Sequence, residues 1–595
     1  MAHVVLIDWS GYPSIGLQTL NKAMQRNGID SRVIKIPMNI PREIGSLPRI
    51  KRKERTQEII NKAMHYILRH SAINGVKIIG MPMYDWHGQM RWEGHIIEKL
   101  RTTFPKAKII GGGPAFNSNP KGFFAQLKLD YAIRGEAEHA LPQLIKILEG
   151  RSNQRIEEVP GIIMQKKGRI IMGQAARLTN YEIAYSKIPL VRTKSGIAYT
   201  LTQRGCAKAC IFCAVPRKGQ PAEINESSII TALIKLARNK KIKAVSFHDD
   251  QLFSNRERSK RIFEKIIELG LHKRFSFSGL ATIDSFIQTQ NGRRTVDTEL
   301  IALLKQANFY RLEIGTEALS DGMLTELKSG RYNSIEAMKV IAELTRAGIK
   351  TYNFLLAGGV NTKPIDFLES YYRTLTKDTR RMQETEEYAN MQIIHAYKGT
   401  TIYTQAAREG CLVDERGRKA GVLPERRMGV RFVVPKDPTL QKMFIEQIRN
   451  GQLDFNADNI RQVILLGERL SQTDTHAAKL TQRLKQTKYR MQIMIRDHHR
   501  KTNQILPHIL AEELAKKGKE LDEKTVERFN NSKGRFEARI YEKAKRFAAL
   551  HNAGPEWMKG MPAQQRLQTL KRQREKMGFG ATIPKYILKS YRKKH

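Results

Sequence analysis

The chain has 595 residues, enough for about three to five domains, with 41% hydrophobic and 27% charged residues. That length and balance exclude a single small module, a collagen-like fibre and a globally disordered chain. Its 104 Lys and Arg against 58 Asp and Glu leave a formal charge of +46, so an anionic partner or a general basic bias is expected.

The excess is about +10 in residues 1–150, +18 in 151–480 and +18 in 481–595, densest at the end. No basic stretch precedes the apolar run Val4–Ile7, and Asp8 ends it, so the amino terminus reads as a strand start and not a signal peptide. No window holds the roughly 18 apolar residues that span a bilayer, and a cytoplasmic protein is expected. There are four cysteines, Cys206, Cys210, Cys213 and Cys411. Three lie within eight residues, which suits metal binding better than disulfides.

Residues 1–150 alternate candidate strands (His3–Ile7, Arg32–Ile36, Val76–Gly80, Lys108–Ile110, Tyr131–Ile133) with helical segments such as Ile15–Asn27 and Arg91–Phe104. This predicts a doubly wound, flavodoxin-like parallel sheet. Gly111-Gly112-Gly113 follows its fourth strand, where such sheets place ligand-binding loops. Residues 151–190 read as a connector with a hairpin, Gly161–Met164 and Arg169–Met172.

From 191 to 420 the alternation resumes. Strands are expected at Ile197–Thr202, Ala244–Phe247, Phe275–Ser278, Tyr310–Ile314, Tyr352–Leu356 and Gln392–His395. Helices are expected near 226–239, 257–269, 297–307, 334–348 and 365–376, with Ser334 and Glu336 marking one helix start. Six such units predict a complete or partial (β/α)6 TIM-type barrel with its site on the loops after the strands. Residues 421–595 read as a basic α-helical region, with helical periodicity in 458–500, 507–519 and 535–551.

The chemistry concentrates in Arg204-Gly205-Cys206-Ala-Lys-Ala-Cys210-Ile-Phe212-Cys213, directly after the first barrel strand. Soft thiolates select an iron–sulfur cluster or zinc. Zinc would want a fourth nearby ligand, and none stands at a usual finger spacing. Three cysteines on a [4Fe-4S] cluster would leave one iron open. Cys411 reads as a core residue, with auxiliary ligand or hydrogen-atom donor as alternatives. Asp497-His498-His499 reads as a solvated part of a basic helix.

The CxxxCxxC spacing, with Phe212 before the third cysteine, resembles the signature of the radical S-adenosylmethionine superfamily, in its branch with an amino-terminal cobalamin-binding-like domain. The resemblance implies a [4Fe-4S] cluster on Cys206, Cys210 and Cys213. S-adenosylmethionine would bind its open iron and be cleaved reductively to a 5'-deoxyadenosyl radical, which starts radical chemistry such as C-methylation on a substrate; the cofactor does the hard chemistry.

The resemblance also assigns cofactor-binding residues beside Phe212. Asp249 and Asp250 stand where relatives hold the methionyl amino group, and Glu313-Ile-Gly315-Thr-Glu317 resembles a "GxES" segment with its final serine replaced. Gly358 and Gly359 match a glycine turn near the adenine. His395-Ala-Tyr-Lys-Gly399-Thr400-Thr-Ile-Tyr403 resembles "P-x-PGT-x-Y" with both prolines replaced. Gly111, Gly112 and Gly113, with the Asp130–Glu138 segment, match the cobalamin domain. The cobalt-ligating histidine motif is missing after the first strand, and His87 in Asp85-Trp86-His87 follows the third strand instead.

A reductant such as flavodoxin or ferredoxin is then implied as partner. Nucleic acid is a further expected partner for the basic carboxy-terminal helices. The alternative reading is an iron–sulfur nucleic-acid-binding protein whose cluster is structural or redox-sensing.

Overall fold

The computed structural model describes residues 3–489, apart from 10–13, 37–51, 71–72, 85–89, 187–189, 194, 216, 382–389, 425–428 and 457–458. The chain forms two units, 1–371 with 390–456, and 372–389 with 457–595.

The first unit begins with a seven-stranded sheet: β1 Val4–Asp8, β2 Ser31–Lys35, β3 Ile78–Pro82, β4 Lys108–Gly112, β5 Tyr131–Ile133, β6 Ile162–Lys166 and β7 Arg169–Met172. Their order is β2-β1-β3-β4-β5-β6-β7. β1 to β5 are parallel, in the flavodoxin-like order. β1 and β3 are buried along their whole length, as central strands of a parallel sheet must be. Leu17 and Met24 of the helix Ile15–Arg26, and Leu141, Leu144 and Ile145 of the helix Ala140–Leu148, close one core against Val4, Leu6, Ile78 and Ile110. The hairpin read as part of a connector adds β6 and β7 to the same sheet, antiparallel to β5, because Ile162 and Ile163 finish its buried surface.

The second sheet runs β8 Val191–Arg192, β9 Ile197–Thr200, then β12 Ala244–Phe247, β13 Ser276–Thr282, β16 Phe309–Glu317, β17 Lys350–Leu356, β18 Met391–Gln392 and β21 Asp454–Phe455. Small antiparallel pairs fill the intervals: β10 Gln203–Arg204 with β11 Ala222–Glu223, β14 Ile287–Gln290 with β15 Arg293–Val296, and β19 Leu412–Val413 with β20 Phe432–Val433. The six strands β9, β12, β13, β16, β17 and β18 are parallel, and β8 and β21 cap the sheet's ends antiparallel. This is the partial barrel that the alternation predicted.

Helices Glu226–Ala237, Arg256–Glu268, Thr298–Gln306, Ser334–Arg346 and Pro364–Arg381 alternate with the strands. Asn333 caps the fourth of these in a capping box with Glu336, and the helix starts at Ser334 as expected. Phe247, Phe277 and Phe309 stack at 5.8 and 5.9 Å between ring centres, and Phe263 of the second helix meets Phe309 edge-on at 5.0 Å. These contacts lock three strands to one helix and hold the loop ends in place.

The stretch 421–456, read from sequence as part of a helical region, contributes β20, the helix Pro438–Arg449 and β21 to the first unit. In the second unit the helix Ile460–Leu470 packs on a helix over 475–489 so closely that a Cβ on Gly467 would lie 2.2 Å from Thr481 Oγ1. The expected helices at 507–519 and 535–551, and Asp497-His498-His499, lie outside the described residues. Among the described residues no helix is long and apolar enough to cross a membrane.

Candidate functional site

The loop leaving β9 is fixed by five carboxylates from elsewhere in the fold. Asp249, just past β12, accepts at Oδ1 from Thr202 N (2.8 Å), Thr202 Oγ1 (2.9 Å) and Gln203 N (2.7 Å). Asp250 Oδ2 accepts from Gly205 N at 3.0 Å. Asp284 pairs with Lys208 at 2.7 Å. Glu136, in the loop after β5 of the first sheet, takes Arg217 at 2.6 Å and Arg204 at 3.1 Å, while Glu138 takes Arg204 at 2.7 Å.

Between these anchors Gly205 sits at φ +82°, and a Cβ there would fall 2.3 Å from Arg217 Cβ and 2.6 Å from its carbonyl oxygen. Only glycine lets the two strands of the loop cross so closely. The crossing is held by Cys206 N to Arg217 O (3.3 Å) and Gly219 N to Cys206 O (2.7 Å).

Cys206, Cys210 and Cys213 are all free and half-buried on this loop. Burial pushes the Cys206 and Cys213 thiols up, and charge on Cys210 pushes both further, so the three thiols lie within electrostatic reach of one another. Lys328 opposes the shift at Cys206 and Lys218 that at Cys213. Arg331 Nη2 donates to Cys210 Sγ at 2.8 Å, and Lys328 Nζ stands 5.7 Å from the centre of the Phe212 ring.

Among the described residues no three His, Cys, Asp or Glu gather tightly enough for a single metal ion. A cubane instead needs its ligands spread over separate corners, and three half-buried thiols beside two cations suit its sulfur-rich, anionic character.

Lys328 is itself buried and pairs with Glu317 at 3.1 Å. Burial alone would lower its pKa, but Glu317, Tyr332 and Cys210 hold it raised. Glu317 ends β16 at φ +59°, in the left-handed region and next to a register shift between Gly315 and Glu317. A non-glycine residue there is strained, and such strain clusters at functional sites.

The other sequence-derived residues divide. Asp250 is exposed, although crowding by protein atoms raises its carboxyl, whereas Asp249 is buried with its pKa pushed up to about 6 by desolvation. Asp249 therefore shapes the loop from inside while Asp250 faces outward. Gly359 N donates to Thr362 Oγ1 at 2.8 Å, and a Cβ on Gly358 would come within 2.8 Å of that oxygen. Glu326 ties this turn down through Asn361 N (2.7 Å) and Thr362 Oγ1 (3.0 Å).

In the first sheet, a Cβ on Gly111 would meet Leu129 at 2.5 Å and one on Gly113 would meet the Met83 backbone at 3.0 Å, so packing accounts for both. Gly112 alone has open space, its nearest neighbour being 3.8 Å away. Cys411 is buried in a core with Leu327, Ile394, Ile402 and Val433. His87 lies outside the described residues.

Sequence reasoning missed Asp284, Lys328 and Arg331. Arg331 and Cys210 are 121 residues apart, and no local pattern joins them.

Residues 200–370 match the model of the radical SAM superfamily. The chain thus contains a radical SAM domain. No curated protein matches the sequence. Among solved structures, the radical S-adenosylmethionine methyltransferase TsrM from Kitasatospora setae, with cobalamin and a [4Fe-4S] cluster bound, is similar at 15% identity and TM-score 0.57, covering 82% of this chain and 100% of that one. The cobalamin-dependent S-adenosylmethionine radical enzyme OxsB, with aqua-cobalamin bound, is similar at 17% identity and TM-score 0.55, covering 97% of this chain and 84% of that one. The radical SAM domain thus sits in a chain whose amino-terminal sheet and barrel share the fold of these two enzymes.

Proposed function

We propose that the protein is a cytoplasmic, cobalamin-dependent radical SAM enzyme that methylates or otherwise modifies an unreactive carbon. A [4Fe-4S] cluster on Cys206, Cys210 and Cys213 would supply one electron to S-adenosylmethionine and so a 5'-deoxyadenosyl radical, with a corrinoid as methyl carrier. The observation that carries this reading is the loop itself: three half-buried thiols within electrostatic reach, held by five carboxylates and faced by Arg331 and Lys328.

The chain's own residues then divide the work. Asp249 holds Thr202 and Gln203, which sets the direction in which the cysteine loop leaves β9. Asp250 offers its second carboxylate oxygen to a cationic ammonium such as that of S-adenosylmethionine. Glu317 keeps Lys328 charged beside the thiols. Phe212 packs on the core around Ile394 and Ile402 and shields one side of the loop from water.

The corrinoid reading is supported by the shared fold with TsrM and OxsB, whose structures hold cobalamin. A flavodoxin or ferredoxin would deliver the electron. The competing reading, a structural cluster in a nucleic-acid-binding protein, gives no reason for a strained Glu317 paired with a buried Lys328 beside the thiols. The deciding experiment is anaerobic reconstitution followed by dithionite and S-adenosylmethionine: release of 5'-deoxyadenosine is expected, and none from a protein with a full cluster overturns the enzyme.

A further inference from the structure

Beside the cysteine loop, a cavity of about 300 Å3 opens between the loops that follow β4 and β5 and the segment after Cys213. Beside Arg217, which Glu136 holds, four cations line it: Arg134, Arg177, Lys218 and Lys398. Among the described residues none of them has a carboxylate partner. Arg177 Nη1 donates to Gln220 Oε1 at 3.2 Å, Lys218 Nζ to the Cys213 carbonyl at 3.5 Å and Lys398 Nζ to the Leu423 carbonyl at 3.4 Å. Arg134 Nε is buried with no partner at all.

The one acid on the wall, Glu136, is already taken by Arg217 and Arg204. Thr400, also on the wall, caps the helix Thr401–Arg408, whose amino-terminal N–H groups add further positive potential. Elsewhere on the loop Arg204, Lys208 and Arg217 each meet a carboxylate; these four cations share one cavity and meet none. Such a cluster repels itself unless an anion joins it.

We propose that this cavity is an anion subsite that takes a phosphate ester. A tetrahedral phosphate offers several charged oxygens to donors arriving from different directions, which suits arginine and lysine around one point. The volume admits a phosphate with part of what it esterifies. The ester comes either from a phosphorylated substrate or from the phosphodiester in the nucleotide tail of cobalamin, and only that second source rests on the corrinoid reading above.

The test uses the full-length protein, unreduced and without S-adenosylmethionine, titrated with inorganic phosphate and followed by phosphorus NMR. Arg134→Met/Lys398→Met is expected to weaken phosphate binding at least tenfold with the melting temperature unchanged. Lys235→Met, an exposed position on the helix Glu226–Ala237, is expected to leave it as in wild type. Absence of phosphate binding by the wild type, equal binding by the double variant, or an equal loss in Lys235→Met overturns the proposal.

Cobalamin and cobinamide, which lacks the nucleotide tail, separate the sources. A loss confined to cobalamin in the double variant assigns the corrinoid phosphodiester. Unchanged affinity for both corrinoids, with phosphate binding lost, assigns the substrate. None of these measurements requires reduction or turnover, so a protein that fails to cleave S-adenosylmethionine would count against the proposed function and leave the subsite standing.

Discussion

Arg331 reaches across 121 residues of sequence to place Nη2 2.8 Å from the sulfur of Cys210. A guanidinium at that distance stabilises negative charge on the thiolate, and it stabilises a reduced cluster more than an oxidised one because the reduced cluster carries one more negative charge. Arg331→Met is therefore expected to make the cluster harder to reduce, by a tenfold or larger change in the one-electron equilibrium, roughly 60 mV. Arg331→Lys should recover part of the shift. A redox titration followed by electron paramagnetic resonance measures both; identical potentials in all three proteins would show that the contact has no electronic effect.

Replacing Cys206, Cys210 and Cys213 together by alanine is expected to abolish the brown absorbance and bound iron after reconstitution, since Cys411 is sealed in the core. Iron analysis on the variant checks this. Cys411→Ala alone should keep a full cluster.

Asp249 has its carboxyl raised by burial to about 6 against 3.8. The folded state therefore holds the proton more tightly than the unfolded chain. Its contribution to stability is fully present below about pH 4 and is lost as the pH rises to about 6, by roughly 2 to 3 kcal/mol. Asp249→Asn, which keeps an oxygen for Thr202 and Gln203, should flatten the stability profile between pH 4 and 6. Asp249→Ala should remove the loop's anchor and lower stability by about 2 kcal/mol or more throughout. Urea unfolding across that range separates the two.

Glu317 and Lys328 are both buried and joined at 3.1 Å. Glu317→Ala strands a buried ammonium and is expected to cost about 3 to 5 kcal/mol. The double variant Glu317→Ala/Lys328→Met should lose markedly less, and a double-mutant cycle by thermal or urea unfolding reads the difference. A double variant as unstable as the sum of the two singles would show that the pair is not coupled.

Removing residues 490–595, with a net charge of about +15, is expected to abolish salt-sensitive RNA or DNA binding while leaving 5'-deoxyadenosine formation intact. A nucleic-acid platform gives a logarithmic salt slope near 0.7 to 0.9 per phosphate neutralised. Heparin bound as tightly as RNA, with no modified nucleotide formed, would identify the charge as a general basic bias.

Strand and helix alternation made both α/β units legible in the sequence, because most of their parallel strands leave a compact apolar run such as Val4–Ile7. The three cysteines were legible because their spacing is local. The rest was hidden by distance or brevity. β21 pairs over only two residues, too short to show a period of two. Asp284, Lys328 and Arg331 reach the cysteine loop only through the barrel's closure. Gly111 and Gly113 read as a ligand cradle, but their smallness is used up by Leu129, Phe116 and Met83; a glycine in sequence does not say which neighbour needs the room.

The grip of Glu136 on Arg217 and Arg204 bears on how this protein can be taken apart. Arg217 is only 7% exposed, and its partners Glu136 and the Leu178 carbonyl belong to, or follow directly upon, the first sheet. A barrel expressed from residue 191 onward would therefore carry an orphaned guanidinium at the root of its cysteine loop. The amino-terminal sheet contains no cysteine, yet it acts as the missing wall of the cysteine loop. The two halves do not behave as interchangeable cassettes, and grafting this barrel onto another amino-terminal domain would require an acidic residue delivered to the place of Glu136.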